Sequence, residues 1–438
     1  MVTGRCLVCD STDKWENVDK YRRENKGMHI CNGCGFVSYP ERFKTDQDAK
    51  DYYKEDYRRP PDHRAIATGQ RKLHMHAHFL KDIFKEWTDK KIKPVVCDVG
   101  AAFGMYLNWV RQNFPEAELH GTEFTLSHRR VAFHEYGLKL ALDFNKDLKY
   151  DLISTYKVAE HQVDADKRLR EYALALKDDG YLYISVPTWF NYMENPGNDN
   201  WDLSYYYHPD HINVWSIPLF EEVLRKSGLE IIKQDHVMYG DTYLCKRNDE
   251  VMKLAPKYED PKNIKEQLSR IKKADDYFMA QKFIEACKEW PQFPKAWYLA
   301  YEQDRAKAHK QQGTPPWEYV KGRYLDPALK SCPDHLQVLR FVAEVHMRYS
   351  RFEEAISFIK RALELRPNNG VFLLILSHCY RALSGASNDS SLRIKLLEES
   401  RNCSRYLREI DFSIMNEATN WIFSDNANIP TPMEVNHG

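Results

Sequence analysis

Four cysteines in two tight pairs, Cys6-x-x-Cys9 and Cys31-x-x-Cys34, carry the strongest chemical signal in the chain. A tetrahedral zinc ion takes soft thiolate ligands, and one Cys-x-x-Cys turn supplies two of them. Two such turns about 20 residues apart close the coordination shell with no open position, which describes a structural site. A redox Cys-x-x-Cys belongs in a thioredoxin-like pattern, and none surrounds these pairs. Cys6, Cys9, Cys31 and Cys34 are therefore expected to hold Zn2+ in a ribbon over residues 1–45. Residues 14–18 and 35–40 read as its short strands.

The second signal is a glycine-bearing turn, Val95-Val96-Cys97-Asp98-Val99-Gly100-Ala101-Ala102-Phe103-Gly104. An apolar strand runs into a loop whose glycines let backbone approach a ligand. The fuller Gly-x-Gly-x-x-Gly fingerprint of dinucleotide sites is absent. Glu123, in His120-Gly121-Thr122-Glu123-Phe124, stands after the next strand, placed to accept two ribose hydroxyls. Nicotinamide and sulfonium cofactors share such a carboxylate, so this pair of features does not choose between them.

The elements that must position these residues alternate. Apolar runs bounded by turn signals fall at 95–99, 118–121, 150–154 and 181–186, with late strands at 229–233 and 236–246. Helical periodicity falls between them at 105–114, 127–136, 166–176 and 217–227. Alternation with short links predicts an α/β fold with a mainly parallel sheet covered on both faces. Residues 46–92 read as a helical linker that opens on a tyrosine-rich turn, Tyr52-Tyr53-Lys54-Glu55-Asp56-Tyr57, and 93–248 as the α/β domain. From 249 to 425 the strands stop. Ala343, Ala355, Ile359, Ala362 and Pro367 fit the 34-residue tetratricopeptide pattern, so an all-α repeat domain that offers a face to a protein partner is expected. Residues 426–438 read as a disordered tail.

Composition excludes several roles. The 438 residues are too many for one core. Lys+Arg and Asp+Glu balance at 64 each, so no net field draws nucleic acid or anionic lipid. No run approaches the length of a membrane span. Six of the ten cysteines are scattered singly, the usage of a reducing compartment, which points to the cytoplasm.

Longer motifs add a family resemblance. Tyr150-Asp151-Leu152-Ile153-Ser154-Thr155-Tyr156-Lys157-Val158-Ala159-Glu160-His161 resembles the fourth-strand motif of class I S-adenosylmethionine-dependent methyltransferases. Gly180-Tyr181-Leu182-Tyr183-Ile184-Ser185-Val186-Pro187 is similar to their fifth strand, and Tyr207-His208-Pro209-Asp210-His211 to the His-x-x-His segment of many small-molecule members. The cysteine ribbon and the tyrosine-rich turn resemble the segments that precede such domains in bacterial sugar and surface-glycan pathways. The resemblance covers about residues 1–248.

It implies a Rossmann-like, doubly wound sheet of seven strands with S-adenosylmethionine as cofactor. It implies cofactor contacts at Asp98, Gly100, Ala102 and Gly104, with Glu123 on the ribose and Phe124 against the adenine. Asp143 is implied at the adenine amine and Tyr156 along the methionine side. His211, His208 and Asp210 fall in the loop where acceptors bind, and imidazole suits proton removal near neutral pH. His161 is a further catalytic candidate: the Glu-His after strand four usually caps a helix or orients substrate, and in a minority of relatives helps bind a divalent ion. Sugar C-methyltransferases read Tyr-x-Glu-His where this chain has His208, Asp210 and His211, so O- or N-transfer is favoured. Aromatic residues mixed with asparagines at 189–215 suit a sugar ring as the small-molecule acceptor. A protein or RNA acceptor, or a scaffold built on a vestigial core, is the alternative.

Overall fold

Val96 and Val99 on one strand and Leu152 and Ile153 on the next are all buried, as strands covered on both faces require. In the computed structural model, which describes residues 4–18, 27–39, 45–54, 79–188, 211–235, 241–291, 293–311, 313–365 and 370–409, these strands form the centre of a six-stranded sheet. Its members are β4 (Val95–Val99), β5 (Glu118–Thr122), β6 (Tyr150–Tyr156), β7 (Leu176–Val186), β9 (Leu229–Asp235) and β10 (Asp241–Arg247), in the order β5-β4-β6-β7-β10-β9. β5, β4, β6 and β7 run parallel, and β10 enters antiparallel between β7 and β9.

Side chains alternate across this sheet with the period of two that a pleated strand imposes. Val96, Leu152, Tyr183 and Leu244 face a core built with Ile83, Phe84 and Trp87 of the helix Lys81–Lys90 and with Tyr106, Leu107 and Val110 of Met105–Asn113. Cys97, Ile153, Ile184 and Cys245 join the opposite core, with Leu169 and Tyr172 of Ala165–Ala175 and Leu219, Phe220 and Val223 of Ile217–Lys226.

The seventh expected strand is not among those of the described residues. In its place Ala141 makes a single parallel bridge to Thr122, held by Ala141 N to Gly121 O and Glu123 N to Ala141 O. The chain cannot extend that edge because Phe144 turns inward onto Tyr150 and Tyr172 two residues after an exposed Leu142.

A second, four-stranded sheet has the order β1-β2-β3-β8, with β1 Trp15–Asn17, β2 His29–Cys31, β3 Val37–Ser38 and β8 Asn213–Val214. Its last member comes from the α/β part of the chain, so the cysteine segment is not sealed on its own. Cys6, Leu7, Val8, Cys31, Cys34 and Phe36 share one core with Trp215, Leu219 and Phe220. Phe36 stacks on Trp215 at 4.9 Å. The helix Pro261–Met279 closes the other flank: Lys265 Nζ reaches Glu16 Oε2 at 2.5 Å and Asn32 Oδ1 at 2.8 Å.

Two compact units result, Met1–Gln303 and Asp304–Gly438. The second is helical throughout its described residues: Trp317–Val320, a π turn Lys321–Leu325, Asp326–Ser331, Leu336–Arg348, Phe352–Leu365, Gly370–Ala386 and Ser390–Glu409. Ala343, Ala355, Ile359 and Ala362, the small and apolar positions of the repeat pattern, are buried in it. No helix among the described residues is long and apolar enough to cross a membrane.

Candidate active site

The glycine turn after β4 departs from ordinary backbone in three places. Gly100 and Gly104 both have φ of 73°, and Ala102 takes φ 46°, a left-handed conformation that costs energy for a residue with a Cβ. A Cβ on Gly100 would stand 2.5 Å from Val158 Cγ2, and one on Gly104 would stand 2.9 Å from Leu138 Cδ1. The turn is thus pressed between the segment after β6 and the segment after the helix Leu126–Tyr136. Glu123 ties it from the neighbouring strand end: Ala102 N donates to Glu123 Oε2 at 2.9 Å and Thr125 N to Oε1 at 2.8 Å.

Two carboxylates flank this turn with opposite protonation tendencies. Burial alone would raise the Glu123 carboxyl, but His128 and the Thr125 amide outweigh it and hold it below the ordinary range. Burial pushes Asp98 up to about 7, against a 2.5 Å hydrogen bond donated by Ser154 Oγ, with the Glu123 charge adding to the rise. Phe124 is half-buried just beyond. Tyr156 ends β6, also half-buried, with Lys157 Nζ 5.9 Å from its ring. Asp143 lies exposed past the Ala141 bridge.

A second cluster forms where the 3₁₀ turn Ala159–His161 meets residue 211. One ligand-capable atom from each of Glu160, His161 and His211 lies within 4.8 Å of the others. Glu160 is fully buried, His211 is 3% exposed, and only His161 reaches toward solvent. Hydrogen bonds to backbone carbonyls join the two segments, with Ile212 N donating to Glu160 O at 2.9 Å and the Asn213 side chain donating through Nδ2 to Ala159 O and Gln162 O. From the other side Ser38 Oγ and Tyr39 N both donate to Ile212 O. The segment that carries His211 is therefore held between the cysteine sheet and the turn after β6. His208 and Asp210 lie outside the described residues.

Tyr53, on the helix Asp46–Lys54, connects the two clusters. Its carbonyl accepts from Thr125 Oγ1 at 3.2 Å, beside the Glu123 carboxylate, and its hydroxyl lies 2.9 Å from His161 Nδ1. Tyr53 was not singled out from the sequence as a site residue, and Glu160 was noted only as part of the Glu-His pair after the fourth strand.

The four cysteines converge as their spacing requires. Cys6 and Cys34 sulfurs are 3.5 Å apart, as are those of Cys9 and Cys31, and all four lie within 4.8 Å of one another. A tetrahedron with zinc–sulfur bonds near 2.3 Å has edges of about 3.8 Å, whereas a disulfide needs about 2.05 Å. The cysteines are unbridged, and Gly33 N donates to Cys31 Sγ, as amides do toward a metal-bound thiolate. The donor set fits a structural zinc.

A sequence model of a methyltransferase-domain family matches residues 70–234. No curated protein matches the chain. Among solved structures, the magnesium protoporphyrin IX methyltransferase of Synechocystis PCC 6803 with bound S-adenosylhomocysteine is similar at 13% identity and TM-score 0.32, over 45% of this chain and 97% of that one. An S-adenosylmethionine-dependent methyltransferase from Clostridium acetobutylicum ATCC 824 is similar at 13% identity and TM-score 0.30, over 41% and 99%. A methyltransferase in complex with the Trm112 activator from Haloferax volcanii is similar at 16% identity and TM-score 0.30, over 42% and 96%. Such distant likenesses assign no acceptor. The matched span, residues 70–234, is thus a methyltransferase domain.

Proposed function

We propose that this methyltransferase transfers the methyl group of S-adenosylmethionine to an oxygen of a small polar acceptor, a sugar foremost. The single observation that carries the reading is the pairing of two built clusters at the carboxyl ends of adjacent parallel strands, β4 and β6, where ligands bind in open α/β sheets. On one side, the Gly100–Gly104 turn and Glu123 would hold the cofactor, with Asp98, Phe124 and Tyr156 beside it. On the other, His161 and His211 would meet the acceptor. Asp143, exposed beyond the bridge, would touch the adenine only at its rim.

Methyl transfer from a sulfonium is an in-line displacement, so holding the two reactants in line and dry supplies much of the rate. An alcohol acceptor also has to lose its proton, and His161 and His211 stand at the methyl end where that loss is assisted. The sugar reading draws support from the aromatic and amide residues at 189–207, including Trp189, Tyr192, Asn195 and Trp201, which lie outside the described residues. Zinc at the four cysteines would serve the fold, and the helices after residue 304 would hold a protein partner.

Calorimetry with S-adenosylhomocysteine and a transfer assay over nucleotide-linked sugars test this reading. We expect micromolar-range cofactor binding, and His211→Ala to lower transfer by about 100-fold or more with that affinity kept. A flat binding trace would remove the enzyme reading of the cleft. Unchanged turnover in the variant would remove His211.

A further inference from the structure

We propose that Glu160, His161 and His211 bind a divalent transition-metal ion, distinct from the ion of the four cysteines, and that this second ion takes the acceptor's oxygen. The donor atoms converge in a way that neither sequence segment displays alone. With all three within 4.8 Å of one another, some point lies within about 2.8 Å of each. A small side-chain rotation brings that to the 2.0–2.2 Å of metal–imidazole and metal–carboxylate bonds.

Two imidazoles and one carboxylate on one side of an ion leave positions open on the other. That is the difference between a working site and the closed cysteine tetrahedron. The nitrogen ligands favour a first-row ion from Mn2+ to Zn2+ over calcium or magnesium.

The surroundings are those of a ligand set held in advance. Tyr53 Oη, 2.9 Å from His161 Nδ1, occupies the outer position that fixes a ligating histidine's tautomer and leaves Nε2 to face inward, where Glu160 Oε1 is 3.9 Å away. Ile212 N on Glu160 O locks the His211 segment against the Glu160 turn. Val158, two residues before Glu160, is packed on Gly100, so the ion would sit beside the glycine turn.

The chemical step depends on the reading of the cleft given above, whereas binding of the ion does not. An acceptor hydroxyl bound to the ion loses its proton to solvent at lower pH than a free alcohol. Its oxygen lone pair forms the new bond to the methyl carbon. The carbon–sulfur bond breaks, its electron pair stays on sulfur, and S-adenosylhomocysteine leaves as a neutral thioether. The ion keeps its charge throughout. The open positions fit an acceptor with two adjacent oxygens, such as a vicinal diol, better than one with a single alcohol.

The test uses the full chain with its cysteine site loaded with zinc. Mn2+ is titrated and free ion followed by electron paramagnetic resonance, and bound zinc is counted by elemental analysis. One equivalent of Mn2+, or one zinc beyond the first, is expected in the wild type. Glu160→Gln and His211→Ala should each weaken it at least tenfold while keeping one zinc per chain and their S-adenosylhomocysteine affinity. If neither metal binds beyond the first equivalent, or the variants bind as well as the wild type, the site does not exist. Loss of cofactor binding in the wild type would instead sink the methyltransferase cleft and leave the metal result to stand by itself.

Discussion

The two ligand clusters of this chain are built on opposite plans. The cysteine site draws its four donors from residues 6–34, two per tight turn, and has no room for a substrate. The Glu160–His161–His211 site takes its donors from two segments some 50 residues apart, brought together by the Ile212 amide and the Asn213 side chain. The closed site is thus encoded locally, while the open one exists only once the sheet is folded. Yet they are not independent, because β8, next to His211, is the fourth strand of the cysteine sheet and pairs there with β3.

The largest effect comes from breaking that dependence. Structural zinc contributes about 10–16 kcal/mol of apparent binding energy in small zinc domains, and its removal unfolds them. Stripping it with a chelator should free β3, and with it the anchor of Ile212. We expect methyl transfer to fall by about 100-fold or more, the scale of losing a proton-handling group. Cofactor affinity should move by less than the tenfold that about 1.4 kcal/mol represents, because the glycine turn is tied to Glu123. Limited proteolysis alongside calorimetry reads both. Should the cofactor leave with the zinc, the two plans are one, and the ribbon belongs to the cofactor site.

The same contrast explains what the sequence disclosed. The cysteine spacing led directly to a converging sulfur cluster, since a Cys-x-x-Cys turn is a local geometry. Apolar runs placed β4, β5 and β6 to within one or two residues. The seventh strand came from the family resemblance and not from an apolar run, and at residues 138–143 the described chain makes only the Ala141 bridge before Phe144 turns back onto Tyr150. β7 begins at Leu176, before the expected Tyr181, since the polar stretch through Gly180 continues the strand. His161 and His211 were each candidates, but their 5.0 Å ring separation depends on long-range pairing that no single motif shows. Tyr53 could be noticed only as part of a tyrosine-rich turn.

A middle-sized effect sharpens the comparison on the glycine side of the cleft, where protonation rather than metal is at stake. Asp98 is raised from 3.8 to about 7 in the folded chain. The native state therefore holds more protons than the unfolded state between those values, and stability falls as pH climbs through that window. Each pKa unit is worth about 1.4 kcal/mol. Glu123, held low, works the other way: its contribution is present above the unfolded value and is lost as pH drops through the folded one. Urea midpoints across pH should show Asp98→Asn flattening the decline from about 4 to 7, with Glu123→Gln altering only the acid limb. An Asp98→Asn curve parallel to the wild type would mean that the carboxyl is ionised throughout.

The smallest effect separates a held ligand from a free histidine. Tyr53→Phe removes one hydroxyl from His161 Nδ1 while keeping the ring, whose centroid is 5.5 Å from the imidazole. The carbonyl that accepts from Thr125 Oγ1 is untouched, so the link to the Glu123 segment stays. A hydrogen bond that only orients an imidazole contributes about 0.5–1.5 kcal/mol, a several-fold loss in transfer. An outer partner of a metal ligand gives about 10–100-fold in metal affinity instead. We expect Mn2+ affinity near the lower end of that second range, about tenfold down, because one side of His161 is open to water. A variant with full metal affinity and full transfer would show that Tyr53 merely packs against His161, and that the helix Asp46–Lys54 serves the cofactor side alone.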